Sequence, residues 1–192
     1  MKRLILASGS PRRAELLGIL GVTFDVVSPD VDETRRPGEE PGRYVERLAR
    51  AKAEVGAAPE TVSLGADTVI VHDGRVLGKP GHPSEARSML TALAGTTHHV
   101  LSGVAVAMLE GGRLVVDSLV ESALVRFAAV TEDEIDAYIA TGEPLDRAGA
   151  YAIQEKGALL VESIDGHPTT VIGLPLPATR RLLTRMGIET LV

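Results

Sequence analysis

The stretch that most constrains this chain is its opening. Leu4-Ile5-Leu6-Ala7 is a short apolar run, Ser8-Gly9-Ser10-Pro11 interrupts it, and Arg12-Arg13-Ala14-Glu15-Leu16-Leu17 follows with helical character. An apolar strand that turns at once into a helix is the first unit of an α/β fold. Ser10 suits an N-cap and Pro11 the first helical position. The free N–H groups and positive dipole end of this helix then face the turn. Two arginines occupy its first turn, where the dipole alone favours acids. Positive charge gathered at an already positive helix start predicts an anionic partner, above all a phosphate. A double arginine is also an ordinary solvated pair, so its meaning depends on what the rest of the chain supplies.

The rest alternates strands and helices. Residues 22–27 read as a strand and 28–39 as a polar loop carrying Asp30, Asp32 and Glu33. Residues 40–57 have a helical repeat with Tyr44, Leu48, Ala51 and Val55 on one stripe and Lys52 beside it. Lys52 is one of four lysines against sixteen arginines. A lysine kept in so arginine-rich a chain hints at a point-charge role, although a helix-surface lysine is the blander reading. Residues 61–71 are the strongest strand signal, with Asp67 in the middle. A carboxylate inside an apolar strand is costly unless it is paired or binds metal, which marks Asp67 as functional. His72-Asp73-Gly74-Arg75 reads as a hairpin turn with Val76-Leu77 returning, and Gly78-Lys79-Pro80-Gly81 as a rigid loop presenting Lys79. Residues 84–93 read as a helix, then 100–108 and 114–127 as strands joined by a second hairpin turn at Glu110–Arg113. His98 and His99 have no companion at metal-ligand spacing and read as structural. Thr131 and Glu134 form a capping box for a helix to Thr141, closed by Gly142. Two hairpins among these elements predict a mixed sheet. Glu143 and Asp146 follow in a glycine-rich turn, and Gln154 offers an amide able to read both a donor and an acceptor on a base edge. Residues 159–164 read as a strand, 173–177 as a turn and 178–186 as a final helix.

Composition narrows the function. With 192 residues the chain fits a single domain, 1–192, and with 3% aromatic residues its core must be aliphatic. The net charge of −6 and the lack of a stacking set argue against nucleic acid or an anionic membrane as partner. Without cysteine there is no disulfide, thiolate chemistry or Cys-type zinc site. Only four apolar residues stand between Arg3 and Ser8, too few for a signal-peptide core, and no 18-residue apolar run exists, so a cytoplasmic protein is expected.

Taken together these stretches resemble the Maf family of nucleoside-triphosphate pyrophosphatases, also described as septum-formation inhibitors. The resemblance rests on Leu6-Ala7-Ser8-Gly9-Ser10-Pro11-Arg12-Arg13 with Leu16-Leu17, on Ala66-Asp67-Thr68-Val69 and on Leu77-Gly78-Lys79-Pro80. It rests further on Gly142-Glu143-Pro144 with Asp146, on Ala148-Gly149-Ala150-Tyr151 and on Gly173-Leu174-Pro175. The resemblance implies an α/β domain with a mixed elongated sheet flanked by helices, in two lobes with a central cleft. It implies hydrolysis of a nucleoside triphosphate to monophosphate and pyrophosphate with a divalent cation, Mg²⁺ or Mn²⁺, and a homodimer at family level. Ala150-Tyr151-Ala152-Ile153-Gln154 is similar to the dTTP/UTP subgroup, in which Arg12, Thr68 and Gln154 stand at the positions linked to base choice. Ala152, Glu155 and the run His167-Pro168-Thr169-Thr170 depart from the usual family pattern.

The implied reaction assigns roles by chemistry. Arg12, Arg13, Lys52 and Lys79 are the cations for the triphosphate charge, with Ser10 and the N–H groups after it holding phosphates at the helix start. Glu33 and Asp67 are the expected ligands of a hard cation, and Asp67 serves as base, metal ligand or both. Gln154 and Thr68 would contact the base. The alternatives are the same chemistry on 7-methyl-GTP or another modified nucleotide, and a non-catalytic nucleotide-binding regulator of cell division.

Overall fold

The structure is a computed structural model describing residues 2–191. The fold is α/β, a mixed seven-stranded sheet flanked by helices. The predicted opening unit is present: strand β1 (Arg3–Ala7) leads through the Ser8–Ser10 turn into helix α1 (Pro11–Ile19), and strand β2 (Asp25–Val27) returns parallel to β1. Only three residues of the predicted second strand pair, and all three are exposed, as suits a short edge strand. Helix α2 (Pro41–Val55) precedes strand β3 (Thr61–His72), which pairs parallel with β1 and antiparallel with the short strand β4 (Arg75–Leu77). The β3–β4 hairpin turns at Asp73 and Gly74, both at positive φ as a two-residue hairpin of type I′ requires. Helix α3 (Pro83–Leu93), strands β5 (Thr97–Glu110) and β6 (Arg113–Phe127), helix α4 (Glu132–Ile139), strand β7 (Val161–Asp165), helix α5 (Pro168–Ile172) and helix α6 (Leu176–Arg185) complete the chain. The sheet order is β2-β1-β3-β5-β6-β7, with β4 beside β3. Among the described residues no helix is long and apolar enough to cross a membrane.

The chain divides into two compact units. One holds the chain up to Asp67, Ser102–Glu121 and the segment from Gly173 onward; the other holds Thr68–Leu101 and Ser122–Ile172. Strands β3, β5 and β6 are long enough to contribute to both.

In the first unit α2 lies on the sheet through small residues. Ala49, Ala53, Ala105 and Ala107 form a buried cluster. Gly65 of β3 and Gly103 of β5 lie beneath it. A β-carbon at position 65 would stand 2.3 Å from the Ala49 carbonyl oxygen and 2.4 Å from the Ala53 nitrogen, and one at 103 would stand 2.6 Å from the Val45 carbonyl oxygen. This contact rotates α2 away from the expected stripe. Val45, Leu48, Ala49, Lys52 and Ala53 are buried, while Val55 is 49% exposed. The buried face is selected by where helix backbone can meet glycine, not by where the largest apolar side chains fall, and Lys52 is on that face.

The second unit packs around Ile70, Leu90, Leu93, Val125, Phe127, Ile135, Tyr138 and Tyr151. The Thr131–Glu134 capping box of α4 forms as expected. The predicted strand at 159–164 starts later. Residues Lys156–Leu160 form a 3₁₀ turn and Leu159 is exposed, because the backbone N–H groups of Lys156 and Gly157 turn inward to Glu143. His98 is structural: it is buried, its Nε2 lies 2.7 Å from the Tyr151 hydroxyl, and its ring meets Phe127 and Tyr151 edge-on. Burial, with the nearby His72 and His99, pushes its imidazole down to about 4.

Two outcomes follow. Gly65→Ala drives a β-carbon into helix backbone that cannot give way, so stability should fall by about 3 kcal/mol, the upper end for overpacking. Thermal denaturation should register this as a melting temperature lower by about 6–12 °C. For His98 the folded pKa is depressed, so the unfolded chain takes up the extra proton between pH 6.5 and about 4. Its contribution to stability is intact above pH 6.5 and is lost as pH falls through that window, at about 1.4 kcal/mol per pH unit. His98→Gln should flatten the acid limb of a melting-temperature profile between those two values.

Candidate functional site

In the first unit the chain from β1 into α1 is fixed by Ser8. Its buried hydroxyl accepts from the Ser10 N–H at 3.3 Å and from Arg13 Nη1 at 3.2 Å. Ser10 takes the N-cap position in extended conformation, but its hydroxyl makes no capping bond. Both Ser10 and Arg12 are partly buried at the helix start. Arg13 also donates through Nε to the Gly173 carbonyl at 2.9 Å, tying the Gly173-Leu174-Pro175 turn to α1. Burial lowers the Arg13 pKa, and the negative charges of Asp67 and Glu33 oppose that shift, which puts all three within electrostatic reach of one another.

The centre of the arrangement is Lys52. From the buried face of α2 its ammonium lies 2.7 Å from Asp67 Oδ1 and 2.6 Å from Glu33 Oε1. Asp67 lies in β3 with its side chain 11% exposed, whereas Glu33, on the loop before α2, is 59% exposed. Tyr44, two turns before Lys52 on α2, donates its hydroxyl to the Glu33 carbonyl at 2.8 Å. Burial and then the charges of Asp67 and Glu33 raise the Tyr44 pKa, so this phenol is a donor throughout the physiological range. Two carboxylates therefore converge on one buried cation, beside the start of a helix whose first turn holds two arginines and no acid. Among the described residues no group of three or more His, Cys, Asp or Glu side chains could hold a metal ion, so the protein brings two carboxylates to this point. A pair of hard oxygen ligands fits a cation that takes its remaining ligands from water and phosphate.

The second unit places the other predicted residues. Thr68 follows Asp67 directly on β3 and is partly buried. Lys79, on the loop after β4, pairs with Asp146 at 2.8 Å, both side chains being well exposed. Gln154 is exposed on a bend. That bend is held from both sides. The Glu143 carboxylate accepts from the Tyr138 hydroxyl at 2.9 Å and from the N–H groups of Lys156 and Gly157, both at 3.1 Å. Arg147 pairs with Glu155 at 2.8 Å. Upstream, Gly149 and Ala150 both adopt positive φ, which turns Tyr151 into the core against Phe127 and His98.

Lys52, Asp67 and Glu33 are thus in contact, Arg13 is near them, and Thr68, Lys79 and Gln154 belong to the other unit. Three contributors lie outside the residues predicted from sequence. Ser8 orders the turn through an ST-turn bond to Ser10 and a bond from Arg13, and a Ser-x-Ser run before a helix is the signal that could have marked it. Tyr44 reads as a stripe residue. Arg47, which donates to the Thr34 carbonyl at 3.1 Å, carries no motif at all.

Comparison with known proteins gives the family. The family profile described as "Maf-like protein" matches residues 3–186. The dTTP/UTP pyrophosphatase of Anaeromyxobacter dehalogenans (strain 2CP-C) is 51% identical over 185 residues, spanning 96% of this chain and 94% of that protein. The protein of the same name from Syntrophus aciditrophicus (strain SB) is 48% identical over 191 residues, spanning 98% and 92% respectively. That from Shewanella oneidensis is 46% identical over 195 residues, spanning 96% and 98%. Similarity of this extent over nearly the whole length, with the opening turn, the buried aspartate and the lysine loop all in place, means that this chain belongs to the Maf family.

Proposed function

We propose that the chain hydrolyses dTTP and UTP to the monophosphate and pyrophosphate in the cytoplasm, with a divalent cation, Mg²⁺ or Mn²⁺, and with residues 1–192 as one catalytic domain. The observation that carries this reading is the Lys52 ammonium, which gathers Glu33 and Asp67 at 2.6 and 2.7 Å in the first unit. The names and full-length similarity of the relatives supply the substrates.

Breaking the bond between the α- and β-phosphates needs water activated on one side and negative charge relieved on the other. Asp67, held by Lys52, accepts the proton of the attacking water while the pyrophosphate leaves. Glu33 and Asp67 are the residues that would hold a divalent cation, which would draw charge from the phosphate oxygens. Arg12 and the N–H groups after Ser10 stabilise phosphate at the α1 start, with Lys79 adding a further cation. Arg13 holds Ser8 and Gly173 and adds its positive charge to the site. Thr68 and Gln154 read the pyrimidine by hydroxyl and amide groups. With 3% aromatic residues, stacking has little to contribute.

A nucleotide-binding regulator would have no use for a carboxylate buried in β3 against a lysine, since a lone buried charge costs stability and the pair adds little to anion affinity. The test is pyrophosphate release from dTTP, UTP and 7-methyl-GTP, with and without Mg²⁺ or Mn²⁺. Asp67→Asn should lower turnover on dTTP by about 10²–10⁴-fold in a protein that still folds. A near-full rate would overturn the mechanism, and bound nucleotide without pyrophosphate would favour the regulator. Gln154→Ala should cost dTTP and UTP about tenfold in kcat/KM, near the worth of one hydrogen bond, and leave 7-methyl-GTP less affected.

A further inference from the structure

Glu33 presents a difficulty. Its side chain is largely exposed and it sits in a loop without regular structure, yet its carboxylate meets Lys52 at 2.6 Å. The hydrogen bonds around it show what holds it. Helix α2 grips the loop at three points. Lys52 takes the Glu33 carboxylate, Tyr44 donates to the Glu33 carbonyl at 2.8 Å, and Arg47 Nη2 donates to the Thr34 carbonyl at 3.1 Å. Arg47 is itself fixed. Its Nε and Nη2 meet the two oxygens of Glu39 at 2.7 and 2.9 Å, the bidentate geometry that locks a guanidinium in one orientation. The guanidinium also lies 5.5 Å above the Tyr44 ring, joining two of the three grips. The far end of the loop closes on the same carboxylate. The Arg36 N–H donates to Glu39 Oε2 at 3.1 Å, and Arg35 donates to the Glu39 carbonyl through Nη2 at 2.6 Å and Nε at 3.1 Å. The Arg47 side chain is 22% exposed and that of Glu39 10%, so the pair is far less screened than the surface pairs elsewhere. The hydrogen bond from Arg47 holds the Glu39 carboxyl down at about 2, so the pair stays ionised at any working pH.

We infer that Arg47 and Glu39 are positioning residues for the reaction, a bidentate clamp that holds the 33–39 loop on α2 and so delivers the Glu33 carboxylate to the cation-binding point. The inference rests on the reading of Glu33 as a cation ligand. The effect of Arg47 and Glu39 is felt through how readily the cation is bound, not through the chemical step.

The experiment compares the full-length protein with Arg47→Lys, which keeps the charge but loses the fork, Glu39→Gln, which keeps the shape but loses the charge, and Glu33→Gln. Two quantities are read. The first is the Mn²⁺ concentration giving half-maximal pyrophosphate release from dTTP, together with kcat at saturating Mn²⁺. The second is the rate of trypsin cleavage after Arg35 in metal-free protein, where Pro37 protects the bond after Arg36. Arg47→Lys and Glu39→Gln should each raise the half-saturating Mn²⁺ about tenfold, the size of effect usual for partners that orient a metal ligand. Both should leave kcat at saturating metal within about twofold and speed cleavage after Arg35 about tenfold. Faster cleavage with unchanged Mn²⁺ dependence overturns the inference, since the clamp would then be purely structural. No change in either quantity also overturns it. If Arg47→Lys does not fold, Glu39→Gln carries the same test. Glu33→Gln separates the two levels: if it leaves the Mn²⁺ dependence of an active enzyme unmoved, the ligand role of Glu33 fails and the clamp's purpose fails with it.

Discussion

Much of the first unit depends on one buried ammonium. Lys52 is 7% exposed and would not be tolerated there unpaired. Removing one member of such a buried pair typically costs about 3–5 kcal/mol, because the other charge is left uncompensated. The two carboxylates it holds are not equivalent. Asp67 is fixed in a strand and withdrawn from water, so its attraction to Lys52 is strong and its geometry rigid. Glu33 is solvated and on a loop, so its attraction is screened and its position must be supplied by other bonds. A rigid carboxylate and an adjustable one thus meet at a single cationic point.

The second unit solves a similar problem without buried charge pairs. The bend carrying Gln154 packs on the core through Ile153. Glu143 holds it by accepting from two backbone N–H groups and a phenol, and Tyr151 anchors its start in an aromatic cluster. Hydrogen bonds from several donors to one carboxylate make the turn stiff. A side chain on such a turn is held more precisely than one on a free loop.

How much of this the residues reveal by themselves depends on whether the cause is local. The opening strand–turn–helix, the β3 strand with its aspartate, both hairpins and the Thr131 capping box are local in origin and all appear as read. Three features arise from tertiary contact and do not. The face of α2 is chosen by Gly65 and Gly103, which are far from it in sequence, so the apparent stripe through Val55 misleads. Residues 156–160 carry strand-like apolar residues, but their N–H groups are claimed by Glu143. Lys52 is legible as a candidate cation but its burial is not, because nothing within α2 discloses the carboxylates that make that burial acceptable. For the candidate site, Asp67 stands out as a charge in an apolar run, whereas Arg47 looks like any helix-surface arginine and Glu39 like any loop acid. Their importance lies in a fork geometry that spacing does not encode.

The contact of α2 with Gly65 bears on how such a protein can change over generations. Where two elements meet through interlocking side chains, each exchange of a core residue shifts their spacing a little. Here helix backbone rests directly on strand backbone, so the separation of Lys52 from Asp67 is insulated from drift in the aliphatic residues around it. The surrounding leucines and valines can be exchanged with little effect on that distance, whereas the alanines that seat the helix must stay small. Divergence is channelled into the packing, and the two glycines become the positions least able to vary.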